Sequence, residues 1–531
     1  MNISFELSDL RKAARILLAA SAKRTFPDAW LAGGGITPLG FYYDFVFPFE
    51  FQSSFLVLLE EGISRLIKEK NEFSIKEMVP FSASEMLAFH KELLRAEDAA
   101  ESCDTLLSII EIGSFIDFFE DELACPDASC VGAVKLKSFE KIGKRQKKDV
   151  VRIWGAADFD KQSLKKFLKE EEGLVKRLHP SIGKDWDLFS ALNNEGSLWL
   201  WHPKGEGFIQ ALSLHLRDFL EKANFSFIRM PSPQEVECVE GEEEDLLYPD
   251  LLLERASLVS KASLNRVSEE CVLWDKELTD FSCGLLKTVR SVVDLQYIIC
   301  TEKQLFEECI SSLHFMSKML KILGFEYKII LSARKVKPSA LTNGEKNAAD
   351  ILKKALEQEG IACIQQTHSS FKGVKVDFRV GDSLGRDWST GFMQVSFSEA
   401  DRNEAVIIRS ILGSRERMAA LLLERHEGVP FFLAEEQVRI LALSKDVKEY
   451  AEKLQKQIRS EGFRVKVEIS ESKEKESFHK RLLEKIPFLL ILDKKEESSS
   501  KVRVRVLNQL KEETLTLDEL ILRLNRHKEP E

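Results

Sequence analysis

The sequence predicts a multidomain protein of the α+β class, and three observations support this prediction. The chain has 531 residues, of which 44% are hydrophobic, so it can bury several separate cores. Residues 431–531 alternate apolar runs with amphipathic stretches, which is typical of a mostly parallel sheet covered by helices on both faces. Residues 380–436 instead show a strand of alternating polarity that leads into a helix. We therefore expect domains of different architecture along one chain.

Composition limits the class of protein. The nine cysteines include no Cys-x-x-Cys pair, which favours reduced thiols and argues against a sulfur-rich zinc ribbon. No apolar run reaches the length of a membrane span, and the start MNISFELSDLRKAARILLAA lacks the basic-then-apolar order of a signal peptide. We expect a soluble, cytoplasmic protein with no membrane partner.

The charge distribution indicates where a nucleic acid would bind. The whole chain has a formal net charge of −10, whereas residues 439–531 carry 22 Lys and Arg against 18 Asp and Glu. A phosphate backbone needs a local cationic surface. The C-terminal part is therefore the more favourable place for one.

The stretch from Val380 to Glu436 contains the clearest candidate site. After the alternating strand, Gly413-Ser414 opens a helix with an apolar face at Met418, Leu421 and Leu422. Arg415 and Arg417 lie at the helix start with Glu416 between them, where an anionic ligand could bind. Spacing alone favours the alternative, a solvated, charged first turn, over an anion site.

Two runs of this stretch resemble a known family. The runs are GRDWSTGFMQVSFSEADR and ILGSRERMAALLLERHEGVPFFLAEEQVRILALS. They are similar to the end of the catalytic domain of threonyl-tRNA synthetase and the start of its anticodon-binding domain. The resemblance implies an editing-like α+β domain at 1–178, a class II antiparallel sheet flanked by helices at 179–428, and an α/β anticodon-binding-like domain at 429–531. It also implies that Arg417 holds the ATP triphosphate.

The N-terminal region resembles the editing domain of these synthetases through its GFYYDF segment. Its own pattern predicts a helix with an apolar face (Leu10, Ala14, Leu17, Leu18), a Gly-Gly-Gly turn at 33–35, and an aromatic strand. The family's editing site uses two histidines four residues apart and a Cys-x-x-x-His. The matching positions here are Lys12, Ile16, Phe119 and Leu123. We expect the editing chemistry to be lost, because these side chains cannot position a hydrolytic water.

The second class II signature is also altered. Alignment places Asp275 at the arginine that contacts the ATP α-phosphate, keeps Glu277, and puts Lys287 at a further arginine. Gln394 is kept in the strand before the corner. The resemblance thus implies a residual ATP-binding set of Glu277, Lys287, Gln394 and Arg417, so ATP stays a candidate cofactor.

The zinc site of the family has no counterpart. Threonyl-tRNA synthetases hold threonine through a Cys-His-His zinc, whose open position selects the substrate. The cysteine falls near Tyr248, the first histidine is Tyr297, and the second is missing between Ile408 and Arg409. We therefore expect no zinc and no other metal.

The resemblance also bears on partners. Glu497 matches an anticodon-contacting position, whereas Leu507 replaces a base-reading arginine. The helix carrying Leu212, Leu216, Phe219 and Leu220, with the strand that ends at Pro231, forms the dimer interface in the family. The expected partners are tRNA or another structured RNA, and a second copy or a synthetase subunit, but no DNA.

Two hypotheses for the function follow. The first is a catalytically degenerate paralogue of threonyl-tRNA synthetase without the family's N-terminal ubiquitin-like domain, retained for binding RNA or a partner protein. The second is a working ATP-dependent threonine–tRNA ligase with altered active-site residues. Losses at three independent sites favour the first, since each removes groups that the chemistry requires.

Overall fold

The structure is a computed structural model, and it divides into two compact units, Met1–Val175 and Lys176–Glu531. The described residues are 6–37, 39–102, 106–119, 123–192, 198–230, 265–274, 283–334, 343–368, 374–397, 404–469, 484–507, 509 and 511–527. Among the helices of these residues, none combines the length and apolar character that crossing a bilayer requires. The predicted boundaries at 178 and 428 stay predictions.

The first unit is built from five helices and seven strands within the described residues. The helices are α1 (Leu7–Thr25), α2 (Ser53–Glu69), α3 (Pro80–Phe89), α4 (Leu93–Glu101) and α5 (Lys161–Lys176). The strands are β1 (Trp30–Thr37), β2 (Gly40–Val46), β3 (Ser74–Met78), β4 (Leu107–Ile112), β5 (Phe115–Phe119), β6 (Ala133–Arg145) and β7 (Lys148–Asp158). They form a four-stranded sheet in the order β1-β2-β7-β6 and a three-stranded sheet in the order β3-β4-β5.

Helix α1 lies at the centre of this unit. Its predicted apolar face is confirmed, since Leu10, Ala14, Leu17 and Leu18 are fully buried. The aromatic strand β2 packs into the same core. The helix and strand were predictable because their periodicities are unambiguous.

The prediction of a turn at Gly33–Gly35 is wrong. These glycines lie within β1, which pairs antiparallel with β2 and has an irregularity between Leu31 and Gly34. A Cβ on Gly34 would lie 2.6 Å from the carbonyl oxygen of Tyr42, and one on Gly35 would lie 2.8 Å from the Tyr42 hydroxyl. The glycines therefore let β1 approach the tyrosines of β2, a second reason for glycine besides chain reversal.

The second unit holds the remaining described elements. Its helices are α6 (His179–Asp185), α7 (Pro203–Lys222), α8 (Glu302–Ile322), α9 (Asn343–Gln358), α10 (Arg415–His426), α11 (Lys448–Ser460), α12 (Lys494–Ser499) and α13 (Leu517–Asn525). Its first strands are β8 (Phe189–Ala191), β9 (Trp199–Trp201), β10 (Ser226–Phe227), β11 (Arg266–Trp274), β12 (Arg290–Thr301), β13 (Lys328–Arg334), β14 (Cys363–His368), β15 (Val374–Gly381), β16 (Asp387–Phe397) and β17 (Glu404–Ser410). Its last strands are β18 (Val438–Ala442), β19 (Val465–Ile469), β20 (Phe488–Leu492), β21 (Val502–Val506) and β22 (Glu513–Leu515).

An eight-stranded sheet dominates this unit, in the order β10-β11-β12-β17-β16-β15-β13-β14. Its pairings are antiparallel except at the two edges, where β10 pairs with β11 and β13 with β14 in parallel. One face packs with α7, α8, α9 and α10 into the main core. The predicted antiparallel sheet flanked by helices is confirmed.

The predicted strand–glycine–helix corner is also confirmed. After β17, Gly413 adopts a left-handed backbone with φ +62°, and Ser414 caps α10 by accepting a hydrogen bond from the Arg417 N–H. The apolar residues Met418, Leu421 and Leu422 are buried. The corner thus holds the first turn of α10 against the sheet.

The C-terminal sheet has five strands in the order β19-β18-β20-β21-β22. Strands β19, β18 and β20 are parallel, but β21 and β22 join antiparallel. The prediction of a mostly parallel sheet is therefore right for two of the four strand pairings and wrong for the other two. The run ESFHKRLLEKI at 476–486, whose amphipathic pattern predicts a helix, falls largely outside the described residues.

Candidate functional site

Arg417 is held by main-chain carbonyl groups. Its Nε donates to the carbonyl of Leu286 at 2.8 Å, and its Nη1 donates to the carbonyl of Ser389 at 2.8 Å. Its Cζ lies 5.3 Å from the centre of the Trp388 ring. The side chain therefore links the turn before β12 to β16.

The neighbours of Arg417 are packed as well. Glu416 is buried and accepts hydrogen bonds from the N–H of Val292 at 2.9 Å and the hydroxyl of Ser414 at 3.2 Å. Arg415 donates to Ser213 Oγ at 2.8 Å and lies 3.1 Å from Glu270 Oε1. The helix start is thus not the solvated, charged turn that spacing alone allowed.

The other residues of the predicted ATP set are spread along the site. Lys287 directly follows Leu286, and among the described residues its ammonium has no ion-pair or hydrogen-bond partner. Gln394 is buried farther along β16, and its Oε1 has no hydrogen-bond partner within the described chain. Asp275 and Glu277 lie outside the described residues. The structure therefore brings Arg417 close to the segment of Lys287, with Gln394 at a distance along the strand.

The second face of the large sheet carries the positions that align with zinc ligands. Across this face Tyr297 is paired with Ile408, Ile408 with Gln394, and Gln394 with Lys375. Directly opposed residues of antiparallel strands point to the same face. These positions therefore form one row.

This row does not offer the donors of a zinc site. Tyr297 is fully buried and its hydroxyl donates to Glu269 Oε1 at 2.9 Å, while Ile408 is fully buried in the same apolar cluster. Zinc in proteins prefers imidazole and thiolate donors. A phenol already bonded to a carboxylate, beside an isoleucine, does not fit the Cys-His-His set. Tyr248 lies outside the described residues, and in the part of the chain that is described no three His, Cys, Asp or Glu converge on a point.

Asp294 is a residue of this site that sequence reasoning missed. It is buried and accepts hydrogen bonds from the N–H groups of Ile411 and Leu412 at 2.8 and 2.9 Å and from Ser410 Oγ at 3.1 Å. Burial raises the pKa of its carboxyl, an effect that these hydrogen bonds oppose. A lone aspartate in the apolar run VVDLQYIIC was the signal that could have found it. Asp294 fixes the chain that leads into Gly413.

Three of the four positions of the editing chemistry lie in or against the apolar core of the first unit, and the fourth, Lys12, is partly exposed. Ile16 and Phe119 are buried in one apolar cluster, against which Leu123 packs. Lys12 lies 3.9 Å from Asp9, and the Arg15 guanidinium lies 4.4 Å from the centre of the Phe119 ring. Ile16, Phe119 and Leu123 are thus packing residues, and the prediction that editing is lost stays a prediction.

The two anticodon positions lie apart. Glu497 is exposed on α12, which follows β20, whereas the N–H of Leu507 donates to the carbonyl of Pro487, just before β20. Since β20 and β21 are antiparallel, these positions lie at opposite ends of the strand pair. The structure does not bring them together.

Two cations of the C-terminal domain, Arg439 and Lys494, are already paired. Arg439 contacts Glu436, Glu468 and Glu484. Lys494 lies 2.6 Å from Asp446. These pairs reduce the positive potential that the composition suggests.

Comparison with known proteins agrees with this architecture. The family described as anticodon binding domain matches residues 437–527. The threonine–tRNA ligase of Oleidesulfovibrio alaskensis is 29% identical over 558 aligned positions, covering 96% of this chain and 86% of the relative. That of Clostridium tetani is 27% identical over 572 positions, covering 98% of this chain and 89% of the relative.

A solved structure shares the fold. The crystal structure of the RNA binding domain of threonyl-tRNA synthetase from Cryptosporidium parvum Iowa II has a TM-score of 0.56 and 24% identity, covering 67% of this chain and 99% of that chain. The sequence relatives, the domain match and the fold lead to one conclusion. This chain is a homologue of the threonine–tRNA ligases over nearly its whole length, with an anticodon-binding domain at residues 437–527.

Proposed function

We propose that this chain is a threonyl-tRNA synthetase homologue that has lost aminoacylation and is retained for binding tRNA or another structured RNA. The observation that carries the proposal is the hydrogen bond between Tyr297 and Glu269, at the place where the resemblance puts a zinc ligand. Both residues are buried. The bond therefore occupies a position where, by resemblance, the synthetases hold the zinc that selects threonine.

The loss of zinc removes the basis for selecting threonine. A metal with an open position binds the amino and hydroxyl groups of the substrate, and a purely apolar pocket rejects an isostere only weakly. To admit a metal here, the chain would have to break a hydrogen bond to a buried carboxylate and open an apolar cluster. The residues present therefore argue for no zinc.

The residues that by resemblance would contact ATP also argue against aminoacylation. The Arg417 guanidinium already donates to two carbonyl groups, so a phosphate would have to compete with them. By alignment Asp275 replaces the arginine at the α-phosphate. Two like charges about 4 Å apart repel by about 4 kcal/mol at an effective dielectric of 20. ATP binding, where it persists, would be weak and poorly oriented for adenylate formation.

The C-terminal domain is the part that we assign to RNA binding. It matches the anticodon-binding family over residues 437–527 and has its own apolar core. Its excess of cations is small, 22 against 18 from residue 439 onward. Few phosphates can then be neutralised, so we expect weak binding that salt reduces.

The proposal includes a dimer, formed by this chain with a second copy or with a synthetase subunit. Helix α7 and strand β10, which by resemblance form the family's dimer interface, line a groove of about 580 Å³. Arg217 of α7 lines this groove, as do Arg229 and Arg415. A second copy or a synthetase subunit would cover this groove.

RNA binding by fragments tests the proposal. Residues 429–531 should bind tRNA alone, with an affinity that falls as salt rises by a slope of about −0.9 in log K against log salt for each phosphate contacted. Fluorescence anisotropy with labelled tRNA at several salt concentrations measures this, and residues 1–175 are the control. Binding that maps to residues 1–175 would contradict the assignment. Formation of threonyl-tRNA by the whole chain would instead favour a working ATP-dependent ligase.

A further inference from the structure

A serine, a histidine and an aspartate are joined by hydrogen bonds beside the β8–β9 hairpin. His202 Nε2 lies 3.0 Å from Ser190 Oγ, and His202 Nδ1 lies 2.6 Å from Asp187 Oδ1. An ionised carboxylate can only accept, so the neutral ring places its proton on Nδ1 and leaves Nε2 to accept from the serine hydroxyl. This is the arrangement of a nucleophile, a base and the group that orients the base.

The backbone fixes all three side chains. Asp187 has a left-handed conformation with φ +56°, in the turn between α6 and β8. Ser190 lies in β8, and the N–H of His202 donates to the carbonyl of Leu188 at 2.8 Å directly after β9. A non-glycine residue with positive φ is uncommon, and its conformation here turns the carboxylate toward the histidine.

Exposed leucines surround the serine. Leu192, Leu198 and Leu200 are 61%, 42% and 48% exposed. Ser190 is paired with Leu200, and residues two apart in a strand point to the same face, so the three leucines share the face of Ser190 and His202. The aromatic residues of the opposite face pack against or into the main core: Phe189, Trp199 and Trp201. An apolar group would therefore bind beside the nucleophile.

The hairpin also leaves a main-chain N–H that can donate to the carbonyl oxygen on which negative charge develops during acyl transfer. The N–H of Leu192 donates to Leu198 at 2.9 Å, and even-numbered residues of β8 thus form the hydrogen-bonded pairs. In an antiparallel pair the residues between them point their N–H outward. The N–H of Ala191, next to the nucleophile, therefore lies on the outer edge of β8.

We propose that Ser190, His202 and Asp187 form an acyl-transfer site that hydrolyses esters with apolar acyl groups. Ser190 Oγ attacks the carbonyl carbon while His202 Nε2 takes the hydroxyl proton, and the alcohol then leaves with that proton. Water next attacks the acyl-serine with the same assistance from His202, which releases the carboxylic acid and restores the serine hydroxyl. The Asp187 carboxylate orients the ring by accepting a hydrogen bond from His202 Nδ1.

The exposure of the site sets the expected rate. The side chains of His202 and Asp187 are 27% and 71% exposed. Water screens an exposed carboxylate, so Asp187 stabilises the imidazolium less than a buried one would. We therefore expect slow turnover, in which the acylation of Ser190 is easier to detect than repeated hydrolysis.

The test uses the full chain with a fluorophosphonate probe and with p-nitrophenyl butyrate. Mass spectrometry should find the probe on Ser190, and p-nitrophenol release should fall at least tenfold in Ser190→Ala and in His202→Gln. Asp187→Asn should give an intermediate loss, because Asn tolerates the left-handed backbone but carries no charge. Ser129→Ala is the matched control, since Ser129 is exposed and bonded to the carboxylate of Asp127.

Equal hydrolysis by wild type and Ser190→Ala would overturn the proposal, as would a probe found on other residues and not on Ser190. Circular dichroism of each variant checks that it is folded. Ser190 is exposed, so its replacement by alanine should leave the fold intact.

Discussion

At the residue scale, two buried carboxylates hold the strands of the large sheet and the corner before α10 in place. Glu269 accepts from the Tyr297 hydroxyl, and Asp294 accepts from two main-chain N–H groups at the corner. An isolated buried charge is unfavourable unless hydrogen bonds compensate it. These carboxylates therefore hold the strands and the corner in place through hydrogen bonds.

Replacing Tyr297 by phenylalanine should destabilise the second unit by about 1.5–3 kcal/mol, because a hydrogen bond to a charged group is lost where water cannot replace it. The midpoint of urea unfolding measures this. Tyr450→Phe is the control, since its hydroxyl donates to the carbonyl of Lys501 at 3.2 Å in an exposed place. Equal effects of the two substitutions would show that the Tyr297–Glu269 bond contributes little.

Glu92 should make the stability of the first unit depend on pH. Burial raises the pKa of its carboxyl, although Lys23 Nζ lies 2.8 Å away and opposes the shift. The folded state then binds more protons than the unfolded state above pH 4.5, so the free energy of unfolding falls as pH rises through the raised pKa. Glu92→Gln should gain stability relative to wild type between pH 5 and pH 8, as followed by urea unfolding. A stability difference between Glu92→Gln and wild type that stays constant with pH would contradict this prediction. Glu72→Gln is the control, because Glu72 is exposed.

At the scale of elements, the corner between β17 and α10 is the most constrained part of the site. Gly413 has φ +62°, and a Cβ there would lie 2.4 Å from the carbonyl oxygen of Thr390. Ser414 accepts a hydrogen bond from the Arg417 N–H within the first turn of α10, and Glu416 accepts one from the Val292 N–H of β12. The corner therefore tolerates neither a side chain at Gly413 nor movement of the helix.

Gly413→Ala should destabilise the chain by more than Gly360→Ala. Gly360 has φ +63° but no atom within 4 Å of its Cβ position, so both substitutions share the left-handed strain of about 1–2 kcal/mol and only Gly413→Ala adds a clash. Thermal unfolding of the two variants compares them directly. A smaller loss in Gly413→Ala would mean that β16 can move away from the corner.

The C-terminal sheet shows what periodicity does and does not predict. Strand β20 is buried throughout, as a strand of a parallel sheet usually is. In β21 Val502 and Val504 are buried and Arg503 and Arg505 are partly exposed, an alternation typical of an antiparallel strand with one wet face. The run KVRVRVL carried this signal. Its alternation could have corrected the prediction of a mostly parallel sheet.

At the scale of the whole molecule, the sequence predicted the architecture better than the chemistry of the site. Local periodicity and long segments similar to the synthetase family were enough to predict the strand–glycine–helix corner, helix α1 and the large antiparallel sheet. The partners of Arg417 were not predictable, because Leu286 and Ser389 are 131 and 28 residues away along the chain. The Tyr297–Glu269 bond depends likewise on the pairing of β11 with β12. Periodicity within a window carries no information about such contacts.

We expect that this homologue of threonine–tRNA ligases does not activate threonine. Losing one preorganised contact at a transition state costs about 2.7–4 kcal/mol, and two such losses lower the rate by about 10⁴-fold or more. Asp275→Arg alone should not restore activity, because the amino acid would still lack its zinc anchor.

The measurement that tests this claim most directly is threonine-dependent exchange of pyrophosphate into ATP by the purified wild-type chain, with an ordinary threonyl-tRNA synthetase assayed in parallel. We expect exchange at least about 10⁴-fold slower than that of the ordinary enzyme, and no dependence on added zinc. Exchange within about tenfold of the ordinary enzyme would contradict it and would mean that Lys287, Arg290 or Arg415 contacts the phosphates in place of the lost arginine.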